Sequence, residues 1–226
     1  MKTKSMFVLI TLFLFGAVAI SQAQEDEEMK LLFKPKNDKV SNGGYGAFQF
    51  GWTKLNGKSA VTIGGSGAWI ANHYFALGLA GNGFISDSYL LPNTSAQTYS
   101  LYGGYGGILI EPIIASRTMV HVSFPIIFGA GGIVASSFDT YYPAGGYYYN
   151  YYDDVDPFFI FQPGVEAEIN IVKFFRLAVG VSYILTDGID LQYKYFDDSD
   201  QEEVLTIDKK ALDGFVATIT FKFGKF

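Results

Sequence analysis

Apolar and polar residues alternate with a period of two through most of the chain. Between Phe215 and Phe223 the odd positions are Phe, Ala, Ile, Phe and Phe, and between them stand Val216, Thr218, Thr220 and Lys222. Successive side chains of a strand point to opposite faces, so this stretch predicts a strand with one apolar and one polar side. Such a strand leaves an open edge unless it pairs with an earlier one, and the first strand is the natural partner.

The same alternation recurs upstream. A first strand is predicted over about 44–53, with Phe48, Phe50 and Trp52 opposed to Tyr45, Ala47 and Gln49. After the turn signal Asn56-Gly57, a second covers about 59–70, with Val61, Ile63 and Trp69 on the apolar side. A third runs over about 74–85, with Phe75, Leu77 and Leu79 opposed to Ala76, Gly78, Ala80 and Asn82. The fourth, about 98–112, contains Gly103, Gly104, Gly106 and Gly107, and its faces stay unassigned. The fifth, about 119–135, sets Val120, Val122, Phe124, Ile126 and Phe128 against His121 and Ser123. The sixth, about 158–171, carries Phe159, Phe161, Val165, Ile169 and Ile171 opposite Gln162, Gly164, Glu166, Glu168 and Asn170. The seventh, about 175–185, sets Leu177, Val179, Val181 and Tyr183 against Arg176, Ala178, Gly180 and Ser182.

These make eight strands. Short turns at Asn72, Arg117 and Lys173 fall at the second, fourth and sixth connections, while polar stretches over 86–97, 136–156 and 186–211 form the longer ones. Short turns on one side and long loops on the other are the layout of an outer-membrane barrel, from which only the short first connection at Asn56-Gly57 departs. Few charges lie in the alternating stretches, and Gly, Ala and Ser gather on the polar face. A water-facing surface of eight strands would carry far more charge, and an eight-stranded interior has little room. The expected fold is therefore all-β: an eight-stranded antiparallel up-and-down transmembrane β-barrel over 43–226, with its apolar face outward.

Composition narrows the setting. The chain of 226 residues has no cysteine, which excludes disulfides, thiolate metal sites and a cysteine nucleophile. Residues 1–23 read as a cleaved signal peptide: Lys2 and Lys4, an apolar core from Met6 to Ile20, and Ser21-Gln22-Ala23 before the cut. Its removal leaves 14 basic against 22 acidic residues, a poor balance for binding nucleic acid. Residues 24–42 read as a charged, mobile periplasmic segment.

Four constellations carry candidate chemistry. Glu166, Glu168, Arg176 and Lys222 share the polar faces of three sequential strands, so they can meet inside the barrel. Buried charges need partners, and the preferred reading is a structural salt-bridge network, with a proton or ion relay as the functional one. Tyr141, Tyr142, Tyr147, Tyr148, Tyr149, Tyr151 and Tyr152 crowd one long loop. They suit either recognition by amphipathic rings or an aromatic belt packed over the mouth. The acidic runs at 153–156 and 197–203 lack the spacing of a calcium loop and read as solvated. His121, near the short-turn end, and His73, in a turn, are wrongly placed for a rim hydrolase, and no G-x-S-x-G motif occurs. The expectation is a non-enzyme without cofactor or metal.

GVSYILTDGIDL, DKKALDGFVATITFKFGKF and GGYGGILIEP carry a resemblance to the small OmpX/OmpA-type outer-membrane barrels, especially the outer membrane protein β-barrel families of Bacteroidetes-like bacteria. The resemblance implies residence in the bacterial outer membrane, among its lipids, as a monomer. It also implies handling by the barrel assembly machinery through a terminal aromatic, for which Phe226 is the candidate, although Phe226 lies out of phase with the apolar series. It brings no catalytic residues. The functional expectation is a plugged barrel with a structural or surface-interaction role through its long loops, the partner unidentified; the alternative is a narrow pore or a carrier of small ligands or lipid.

Overall fold

The computed structural model describes residues 42–95, 97–136, 155–199 and 201–226. Twelve strands follow one another: β1 (Asn42–Leu55), β2 (Lys58–Ala71), β3 (Phe75–Ser86), β4 (Tyr89–Leu90), β5 (Thr98–Ile114), β6 (Val120–Ser123), β7 (Ile126–Ser136), β8 (Asp156–Val172), β9 (Phe175–Asp187), β10 (Gln192–Phe196), β11 (Glu202–Thr206) and β12 (Gly214–Lys225). Eight staves close an antiparallel barrel in the order β1, β2, β3, β5, β6/β7, β8, β9, β12. The seam is the pairing of β12 with β1, from Gly44 opposite Lys225 to Trp52 opposite Ala217. Closure removes both edges of the sheet.

The fifth stave is one predicted strand split in two. Pro125 has no N–H to give the ladder, and pairing lapses there. The register nevertheless runs through: Ile113 faces Ser123 on one side of the break and Ile110 faces Ile126 on the other. Inward and outward faces therefore keep their phase, with His121, Ser123 and Ile127 buried and Phe128 exposed.

Two connections are more ordered than loops. Within 186–211, β10 and β11 form a hairpin, and Ile189, Leu191, Ile207 and Ala211 are buried. Within 86–97, β4 pairs with the outer end of β5, burying Tyr89 and Leu91. In both, apolar residues spaced among polar ones cover the end of the barrel. The first strand also starts earlier than expected: Asn42, assigned above to the lead-in, pairs with Ala71. The signal peptide, the rest of the lead-in and all seven loop tyrosines lie outside the described residues.

At the first hairpin Asn56 and Gly57 take φ of 42° and 84°, the paired positive values of a tight turn matched to strand twist. Glycines also set the fourth stave. A Cβ on Gly107 would lie 2.2 Å from the carbonyl oxygen of Phe128, and one on Gly129 would lie 2.0 Å from that of Gly106. Neighbouring backbones thus approach as only glycine allows. The odd positions of β5 turn inward, placing Tyr105, Leu109, Glu111 and Ile113 in the lumen.

The outer face is apolar all round. Phe48, Trp52, Ile63, Leu79, Ile108, Phe128, Phe159, Val179 and Phe215 are exposed, and between them they represent every stave. The turn-end cations Arg117, Lys173 and Lys225 are exposed beyond this band. The inside divides into two. At the loop end Leu101, Ile133, Phe158, Ile160, Ile184 and Val216 join one apolar cluster with the buried residues of the two covering connections. The lumen is thus mainly apolar in this half, where a polar interior was expected, although Thr53, Thr62, Ser86, Ser100 and Thr186 are also buried there. The buried charged side chains lie in the half nearer the short turns.

Candidate functional site

Six staves supply the ionisable side chains of the turn-end lumen. Strand alternation sends Tyr45 (β1), Glu111 (β5), His121 (β6), Glu166 and Glu168 (β8), Arg176 (β9) and Lys222 (β12) inward, and all are buried. Lys222 is the hub. Its Nζ lies 2.7 Å from Glu168 Oε1 and 2.9 Å from Glu166 Oε2, and it donates a hydrogen bond to Glu111 Oε1. Glu111 and Lys222 stand on well-separated staves, so this bond crosses the lumen.

The periphery is also polar. Arg176 Nη1 lies 3.3 Å from Glu168 Oε2, and His121 Nε2 lies 3.0 Å from the same oxygen. Thr220 donates to Glu166 Oε1 at 3.0 Å, and the Tyr45 hydroxyl donates to Glu111 Oε2. The one ammonium contacts all three carboxylates, and it donates hydrogen bonds to Glu111 and Glu168. Oxygens of the three glutamates lie within 4.8 Å of one another, a spacing that suits a cation, and the Lys222 ammonium contacts all three.

Phe226 closes the turn end. Counting by twos from Lys222 places it on the inward phase. Its ring lies 6.1 Å from that of Tyr45, and the Arg176 guanidinium sits 3.9 Å above it. Being out of phase with the lipid-facing series is thus what brings the ring under the charged cluster, where a cation–π contact is available.

Above the cluster is a cavity of about 40 Å³, lined by Gln49, Ser66, Gln162, Ser182, Thr218, Thr220 and Glu166 among others. Tyr105 donates to Gln162 Oε1 at 2.8 Å, and Gln162 Nε2 donates to Ser182 Oγ at 2.8 Å, marking its upper edge. Beyond lies the apolar half, topped by four tyrosines. The rings of Tyr89 and Tyr99 are 4.9 Å apart, Tyr99 and Tyr193 5.8 Å, and Tyr193 and Tyr195 6.5 Å, all nearly parallel. They dock the β10–β11 hairpin onto the mouth. Burial raises the Tyr89 hydroxyl above the usual tyrosine range, so it stays a donor, here to the Leu55 carbonyl.

The structure brings together all four residues singled out for the lumen, Glu166, Glu168, Arg176 and Lys222. It adds Glu111, Tyr45 and His121, which the sequence reading had not joined to them. Parity with the outward Ile108 and Ile110 is the signal that would have placed Glu111. The acidic run 197–203 is a solvated hairpin tip in its described part: the Asp197 carboxylate accepts from the backbone N–H of Ser199 and Gln201, both at 2.9 Å.

No protein-family model matches the sequence, and no curated protein does. Several solved structures are similar at low sequence identity. The chain is similar to the N-terminal barrel domain of Pseudomonas aeruginosa OprF at 7% identity and a TM-score of 0.46, with 82% of this chain and 99% of that one covered. It is similar to Neisserial surface protein A at 9% identity and 0.47, covering 84% and 100%. It is similar to the outer membrane protein OprG of Pseudomonas aeruginosa at 9% identity and 0.49, covering 82% and 96%. On this chain's own geometry, a closed seam and an apolar exterior define a membrane-spanning β-barrel of the outer-membrane type.

Proposed function

We propose that this protein is a non-conducting outer-membrane barrel that holds its long loops at the cell surface, where they meet an external partner. The observation that carries the reading is the filling of the lumen from both ends. Apolar side chains fill the loop-end half, and a salt-bridged cluster with Phe226 beneath it fills the other. Eight staves leave an interior that side chains can occupy fully. The exterior band meets lipid, and the short turns face the periplasm. The loop end then faces outward, and the sequence that joins β7 to β8 is rich in tyrosine, a composition suited to recognition. In this reading the luminal ions are structural, and Phe226 serves packing as well as any part in assembly. His121 lies at the inner end, bonded to Glu168, far from any rim site for catalysis.

Planar-bilayer recording of the purified barrel tests the lumen. We expect no steady conductance; a large and steady one would overturn the closed reading and favour the narrow pore. Deleting residues 138–156 tests the surface role: the barrel should still insert, while binding of intact cells to the external partner is lost.

A further inference from the structure

The charges inside the turn-end lumen do not balance. Among the described residues, three carboxylates, Glu111, Glu166 and Glu168, face two fixed cations, Arg176 and Lys222. The groups packed around them are a tyrosine on β1 and a histidine on β6, while β2 and β3 contribute only Ser66, Ala68, Ile70, Ala76 and Ala80 at this level. All three carboxylates are at least 95% buried. A surplus negative charge buried this deeply is strongly unfavourable unless something neutralises it.

Two further features point to the same deficit. Glu166 Oε2 is buried beside the cavity and accepts no hydrogen bond, although Lys222 is its ion-pair partner. The cavity of about 40 Å³ beside Glu166 is lined by the hydroxyls and amides of Ser66, Thr218, Gln49 and Gln162 among apolar side chains such as Leu109, Ile127 and Val181. That is room for more than one water-sized occupant.

We propose that the folded barrel binds one further unit of positive charge in this cluster, as a proton or as an alkali-metal cation held by Glu166 and the oxygens of the cavity. The shared chemistry is a single monovalent charge, and the two sources are separable. A bound proton makes stability fall as pH rises above 7, because ordinary carboxyl and imidazole groups of the unfolded chain have already released theirs. One proton corresponds to about a tenfold rise in the unfolding constant per pH unit. A bound alkali ion instead makes stability rise with sodium concentration at fixed pH and ionic strength.

The test is the unfolding midpoint of the barrel in detergent micelles between pH 7 and 9, in sodium chloride and in choline chloride of equal strength. A pH dependence common to both salts identifies the proton, and a sodium-specific gain identifies the cation. In Glu111→Gln, two carboxylates face two cations, and either dependence should vanish; Glu166→Gln is the second variant. Identical profiles for wild type and the variants would overturn the proposal. Should neither variant fold, wild type decides alone: unfolding at pH 8 must release one proton or show the sodium dependence, and the absence of both overturns it.

Discussion

The two halves of the lumen are held by different physics. In the half nearer the loops, side chains such as Leu101, Ile133 and Phe158 are buried by apolar contact. That attraction has no direction and scales with area removed from water, so it tolerates small shifts. In the half nearer the turns, Lys222 has to reach three carboxylates on two other strands at once. Removing one partner there exposes the others to an uncompensated charge. The apolar half should therefore fail gradually under substitution and the charged half abruptly.

The largest effect should come from the hub. Lys222→Met leaves three buried carboxylates without their common partner, and a loss of about 3–5 kcal/mol is expected. Denaturant unfolding from lipid vesicles measures it. A loss no greater than that of an exposed substitution would remove the contrast between the halves. Phe158→Ala, in the apolar half, should cost about 3 kcal/mol through the cavity it leaves. Its loss should be independent of salt and pH, which the same unfolding curves at two salt concentrations would check. Gly57→Ala strains a residue held at φ 84° and should cost about 1 kcal/mol. Its effect should appear as a lower unfolding midpoint with the lumen contacts intact. The smallest change belongs to Lys194→Ala, which removes an exposed pair with Glu202 at 3.8 Å. Its cost should stay within about 0.5 kcal/mol and vanish at high salt.

The contrast also explains what the sequence made visible. Alternation displayed the faces of β1, β8, β9 and β12, because one face of each is apolar and the other carries Gln, Glu, Thr or Lys. It failed in β5, where Gly103, Gly104, Gly106 and Gly107 put the same residue on both faces. Glu111 was lost with that strand, although it bonds the hub. Sequential strands revealed Glu166, Glu168, Arg176 and Lys222 as neighbours; a contact across the lumen depends on barrel closure, which no local pattern records. The apolar loop-end half was hidden for a related reason. Inward Leu101, Ile133, Ile160 and Ile184 are as apolar as their outward neighbours, so the alternation fades where the interior dries out.

The bond from Lys222 to Glu111 joins residues 111 positions apart in the chain. A contact so distant along the chain closes a long loop before it gains anything, which places it late in folding. Until β12 arrives beside β1, the three glutamates have no shared ammonium and repel one another. Closure of the seam is what brings that ammonium to all three carboxylates at once. The turn-end cluster thereby gives insertion a sense of completion: its contacts exist in full only once the last strand has joined the first.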